Sequence, residues 1–244
     1  MTSSLEIPNG IPMYIVSKLI NDFPIIFCQA FGDSICFIGA RDHLAVNVNV
    51  FNKGDLFGGK ENKWNITYAF DSNEVKRNID WFRRKANSTK NKRLNIVPDE
   101  SKLHISNSVV EAKLNSITEK PPIPKIPQME NGVSVKIMNL KEMVNQVMSI
   151  KEGVLELTVS KSGMKMSGST YKSPVYNIRI SHNSHNDEEK STLCLKDMLL
   201  ISCQLSSEVG SQSADLKFYP NGATQISSEG DNVSLLCLIT AVKG

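Results

Sequence analysis

The sequence predicts an α+β protein made of two tandem copies of one unit, each a mostly antiparallel β-sheet carrying a few helices on one face. The prediction rests on a phrase that occurs twice, on a matching order of elements around each occurrence, and on a proline-rich segment between them. LNIVPDESKLHI begins at Leu94 and LKFYPNGATQI at Leu216, half of the 244-residue chain apart. Each runs from Leu through a bulky apolar residue to Pro followed by Asp or Asn, and each resumes as an alternating strand. Self-similarity at a fixed spacing is the mark of a duplicated unit.

Each half opens near a short amphipathic helix. In residues 11–23, Ile15, Val16, Leu19 and Ile20 form one face; in NLKEMVNQVMSI, Leu140, Met143, Val144, Val147 and Ile150 recur at three and four residues. Strand pairs follow. IIFCQAF and SICFIGA flank a turn at Gly32 and Asp33, and VLELTVS and GMKMSGS flank Lys161, Ser162 and Gly163. The second strand of each pair ends in a glycine, Gly39 or Gly168. An alternating strand comes next, LAVNVNV or PVYNIRIS, and then a second helix, over residues 72–86 or 195–205. The paired phrases close each half as a hairpin, with Pro98 or Pro220 expected at the first turn position and Asp99 or Asn221 at the next.

TEKPPIPKIPQ holds four prolines within residues 121–127 and fits neither a helix interior nor a central strand. It reads as a semi-rigid connector. The expected organisation is a first domain over 1–118, a connector over 119–131 and a second domain over 132–244.

The composition, 40% hydrophobic and 22% charged, is globular. With 28 Lys and Arg against 25 Asp and Glu, the formal charge is only +3, so attraction to nucleic acid must come from local placement of cations. No basic region with an apolar run opens the chain, and nowhere do 18 apolar residues run together, so an intracellular protein without a membrane span is expected. The five cysteines lack metal-binding spacing and read as buried thiols.

The helix at 72–86 carries the densest positive charge. On a wheel with Val75 at zero, Ile79 and Phe82 fall within about 40° and define a buried stripe, while Arg77 and Arg84 lie opposite, with Lys76 and Arg83 on one flank. The run continues through Lys85, Lys90, Lys92 and Arg93. Lys18, Lys141 and Lys196 add scattered cations on the other helices. This is either a solvated helix face or a surface for phosphates, which cations contact without reading sequence.

Other candidate chemistry is weak. GGKEN at Gly58 lacks the spacing and the Ser or Thr of a phosphate loop. His182 and His185 in HNSHNDEE could touch a metal, but a polar connecting loop fixes no geometry. Neither His43 nor His104 has a nucleophile context, and Asn65, Asn87 and Asn232 are glycosylation sequons by pattern alone. Neither an enzyme nor a cofactor is expected.

A duplicated unit of about 120 residues with a proline-rich connector resembles the DNA sliding clamps, the family of proliferating cell nuclear antigen and the tailed-phage clamps. ARDHLAVNVNV, KPPIPKIP with the following VSVKI, GMKMSG and the ending ATQISSEGDNVSLLCLITAVKG carry the resemblance, which spans nearly the whole chain. It implies a non-enzymatic homotrimeric ring, helices lining the pore, double-stranded DNA within it held without sequence preference, a DNA polymerase tethered to it and an ATP-dependent loader. It places Lys18, Lys76, Arg77, Arg83, Arg84, Lys85, Lys141 and Lys196 toward DNA. It places partner peptides against His43, Leu44, Ile123, Ile126, Thr240, Ala241 and Val242. It implies subunit contacts at edge strands holding Val109, Val110, Ala112 and Leu114 on one chain and Tyr176, Ile178 and Ile180 on the next. Two other readings stay open: a clamp-fold adaptor in viral late transcription or DNA repair, and a viral structural protein of tandem β-rich domains.

Overall fold

The computed structural model describes residues 4–19, 21–52, 64–84, 93–108, 111–118, 121–124, 132–160, 163–168, 176–178, 180–181, 190–209 and 212–240. Two compact units emerge. Unit 1 holds residues 1–40, 47–124 and 230–234; unit 2 holds 41–46, 125–229 and 235–244.

The first series of elements is β1 (Leu5–Ile7), α1 (Ile11–Leu19), β2 (Ile25–Gly32), β3 (Ser34–Arg41), β4 (Leu44–Phe51), β5 (Trp64–Asp71), α2 (Ser72–Arg84), β6 (Leu94–Pro98), β7 (Lys102–Ser106) and β8 (Glu111–Asn115). The second series is β9 (Val133–Ile137), α3 (Leu140–Ser149), β10 (Val154–Ser160), β11 (Gly163–Gly168), β12 (Tyr176–Ile178), β13 (Ile180–Ser181), β14 (Lys190–Leu195), α4 (Lys196–Glu208), β15 (Ala214–Phe218), β16 (Thr224–Glu229) and β17 (Val233–Ile239). The α+β duplication is therefore real. The repeating order is strand, helix, four strands, helix, three strands, and in the second series the third strand after the first helix is split into β12 and β13. The sequence reading lacked the opening strands β1 and β9 and the strands β5 and β14 that lead into the second helices.

In unit 1, one sheet runs β1-β6-β7-β8, and β3-β2-β5 stand side by side with the part of β4 from residue 47 onward. In unit 2, one sheet runs β12-β11-β10-β14, and β13-β9-β15-β16-β17 stand side by side. The described pairings of β2 with β3 and β5, of β10 with β11 and β14, and of β6, β7 and β8 are all antiparallel. Alternation sets the buried face: Leu94 and Ile96, Leu103 and Ile105, and Ala112 and Leu114 point inward from β6, β7 and β8. Helices close the cores. Met13, Ile15, Val16 and Leu19 of α1 are buried beside Val75 and Ile79 of α2; in unit 2, α3 buries Leu140, Met143 and Val147 where it packs on α4. Among the described residues no helix is long and apolar enough to cross a membrane.

The twin phrases diverge at their turns. Tyr219 N–H donates to Ala223 O (3.0 Å) and Gly222 N–H to Tyr219 O (2.9 Å), a three-residue loop with Pro220 at its first position and Gly222 at φ 81°. That is a turn followed by a left-handed residue, which glycine supplies at little cost. In the first half, Asp99 N–H donates to Lys102 O (2.9 Å), so the loop is Glu100-Ser101, and Pro98 pairs with Leu103 as the last residue of β6. Pro98 is thus a strand end rather than the expected first turn position. The position equivalent to Gly222 is Glu100, and the loop there closes one residue shorter.

The cysteines are free thiols. Burial raises Cys194 and Cys237 from 9.0 to about 12 and Cys36 to about 11; a hydrogen bond to Asn47 Oδ1 (2.9 Å) opposes the shift at Cys36. Cys28 and Cys203 shift upward too, first through burial and then through neighbouring thiols. An unfolded chain releases these protons at lower pH than the folded one, so stability is full below about pH 9 and declines as pH rises toward 11–12. The urea midpoint is expected to be lower at pH 10 than at pH 8, and equal midpoints contradict this account.

Candidate nucleic-acid interface

Helix α2 is started by Asp71, whose Oδ1 accepts from the N–H groups of Asn73 (2.9 Å) and Glu74 (3.2 Å). Val75 (1% exposed) and Ile79 (0%) fix its inner stripe. Lys76 and Arg77 are consequently turned outward and exposed. Arg83 and Arg84 continue the helix, but their side chains, and those of Trp81 and Phe82, lie outside the described residues, as do Lys85, Lys90 and Lys92. Arg93 is exposed just before β6.

On α1, Lys18 is half-buried, with its ammonium 5.0 Å from the centroid of the Tyr14 ring. On α3, Asn139 caps the helix by accepting from Glu142 N–H (3.1 Å), and Lys141 is exposed in the first turn. A cation there faces the positive end of the helix dipole and gains nothing from it. Lys196 differs from the other expected cations. Its ammonium donates to the carbonyls of Ile150 and Met148, the latter at 3.4 Å, so it closes the C-terminal end of α3.

Of the residues expected to hold a partner peptide, unit 2 brings three together. His43 Nδ1 lies 3.0 Å from Thr240 Oγ1, and Thr240 N–H donates to His43 O at 3.0 Å. Thr240 is exposed, His43 half-buried and Leu44 buried at 1%. Leu44 therefore anchors the strand beneath this point. Ile123 is half-buried and belongs to unit 1, while Ile126, Ala241 and Val242 lie outside the described residues.

The expected subunit contacts fall on sheet ends. β8 ends the sheet of unit 1, where Ala112 and Leu114 are buried and Glu111, Lys113 and Asn115 exposed; Val109 and Val110 lie outside the described residues. β12 ends one sheet of unit 2, with Tyr176 paired to Met166 and Ile178 to Met164, and β13 ends the other, with Ile180 paired to Ile137. Sequence reasoning missed Glu74, whose carboxylate reaches from α2 to Asn115 on β8. Its only sequence signal was an acidic residue in a helix first turn. His182 and His185 lie outside the described residues, and among the described residues no three His, Cys, Asp or Glu cluster as a metal site.

The sequence matches neither a known family nor a characterised protein. The structure does find counterparts. Proliferating cell nuclear antigen of Entamoeba histolytica superposes with a TM-score of 0.76 at 9% identity, over 100% of both chains. A. fulgidus PCNA, seen with the C-terminal region of FEN-1, gives 0.75 at 14% identity over 100% of this chain and 99% of that one. The PCNA2-PCNA3 complex of Sulfolobus tokodaii gives 0.70 at 10% identity over 98% and 99%. Full-length coverage at such low identity means that the duplicated order of elements is what is shared, and the chain has the fold of the DNA sliding clamps.

Proposed function

We propose that this chain is a DNA polymerase processivity clamp. Three copies close head to tail into a ring, with β8 of one copy pairing with β12 of the next, and double-stranded DNA passes through it. The observation that carries this reading is helix α2: in a chain of clamp fold, its buried Val75 and Ile79 aim Arg77 away from the core and leave Lys76 exposed on the flank beside it. Lys141 supports it, because an exposed cation in the first turn of α3 has no role in stabilising that helix. Contacts of this kind neutralise phosphate without reading bases, which is what sliding requires.

Open sheet edges that satisfy one another head to tail escape uncontrolled pairing, because the ring consumes them. The His43, Leu44 and Thr240 corner is the part of the partner-peptide site that the described residues assemble, and short peptide tails of a polymerase and other replication factors would dock there. Opening and closing around DNA falls to an ATP-dependent loader, and the chain itself acts as a scaffold. Sedimentation equilibrium is expected to give a mass near three times 27.1 kDa. A species that stays at 27.1 kDa over the whole accessible concentration range contradicts the proposal.

A further inference from the structure

The direction of the backbone groups along β8 follows from its neighbour. Ser116 N–H donates to Ser101 O (2.9 Å), so Ser116 faces β7. Direction alternates along an antiparallel strand, so Ala112 and Leu114 also turn their N–H and C=O groups toward β7, opposite Ile105 and Leu103. Glu111, Lys113 and Asn115 turn theirs to the outer side, where no strand of the described residues lies.

This outer row is closed at one end. Glu74 Oε1 accepts from Asn115 N–H at 3.3 Å and from Asn115 Nδ2 at 2.8 Å. Glu74 is itself held: its N–H donates to Asp71 Oδ1 (3.2 Å), its carbonyl accepts from Asn78 Nδ2 (3.0 Å), and Val75 beside it is buried. A carboxylate from the first turn of α2 therefore occupies the last outward N–H of β8, and the next N–H on that side, that of Ile117, donates to Ala69 O of β5 at 2.8 Å.

We propose that Glu74 is a register stop for the strand of a second copy of this chain that docks along β8, an inference that rests on the ring proposed above. An incoming strand finds outward donors and acceptors at Glu111 and Lys113. At Asn115 it finds a donor already engaged, and a carboxylate whose remaining lone pairs repel an approaching carbonyl. The stop answers a specific ambiguity. A slip of one residue would exchange the two faces of the incoming strand and is opposed by its side chains, but a slip of two residues preserves both faces. Backbone pairing alone discriminates poorly between registers two apart. A fixed carboxylate at the end of the row distinguishes them, and it also keeps the edge from lengthening into an open stack.

The test compares wild type, Glu74→Ala and Glu74→Gln by sedimentation velocity over a concentration series and by amide hydrogen exchange. Wild type and Glu74→Gln, whose amide oxygen still accepts from Asn115 N–H, are expected to form only the three-copy ring. Glu74→Ala is expected to dissociate at concentrations about tenfold higher, to form species larger than three copies, and to lose exchange protection at Asn115 while Leu103 and Leu114 keep theirs. An alanine variant with wild-type sedimentation overturns the register stop while leaving the ring intact. A wild type that never self-associates overturns the ring itself, and the stop with it.

Discussion

Gly39→Ala is expected to destabilise unit 1 by about 1–3 kcal/mol, the range of an overpacked core. A Cβ at Gly39 would lie 2.6 Å from Phe23 Cδ2 and 2.7 Å from Cγ, and Phe23 is only 2% exposed. Those atoms belong to a buried aromatic ring rather than to the far end of a flexible side chain, so relief requires the core around it to shift. The equivalent glycine of the duplicate, Gly168, offers an internal control. There a Cβ would meet the carboxylate of Glu152, which occupies the same place ahead of β10 that Phe23 occupies ahead of β2. The far end of a flexible side chain can swing aside, and Gly168→Ala is expected to cost less than about 1 kcal/mol. Urea unfolding of the two variants checks the order, and equal losses contradict it.

Charge reversal on α2 is expected to have the larger functional effect. Lys76→Glu with Arg77→Glu alters two exposed positions in each chain, without touching the stripe of Val75 and Ile79. Retention on nicked circular DNA, with an ATP-driven loader present, is expected to fall at least about tenfold, and the salt dependence to become shallower by about 0.9 in log-log slope for each phosphate no longer neutralised. Solution mass and binding of partner peptides are expected to stay at wild-type values. Undiminished retention removes α2 as the DNA-facing helix. It would favour the clamp-fold adaptor, which needs its partners and not encirclement.

The elements that the sequence displayed clearly are those whose pattern is set by burial alone. α3 could be read from Leu140, Met143 and Val147 because one stripe is buried and the rest of the helix is not. β5 and β14 could not. In β5 the burial order begins buried, exposed, half-buried, half-buried, continues with Tyr68, Ala69 and Phe70 all inside and ends at exposed Asp71, so no alternation survives. In β14 the inward residues are Thr192 and Cys194, while Leu193 is half-exposed. The Thr192 hydroxyl donates to Gly222 O at 2.7 Å, so a polar side chain occupies a position that an apolar pattern would claim.

The site divides in the same way. Lys76 and Arg77 could be placed by a wheel because Val75 and Ile79 fix the opposite face. Lys196 could not, because its partners are carbonyls at the end of another helix, far away in sequence. Glu74 was hidden for the same reason: its partner is Asn115, and that contact exists only once α2 lies against β8. The twin hairpins show the limit from the other side. Matching phrases fold into matching strands, while the loops between them differ, three residues ending at Gly222 in one and Glu100-Ser101 in the other.

The central claim is that copies of this chain enclose a hole that holds a duplex, and negative-stain microscopy of the free protein tests it most directly. The account predicts closed rings of three chains around a central opening wide enough for double-stranded DNA. Solid particles of one chain, or open linear strings of chains without a hole, would contradict it.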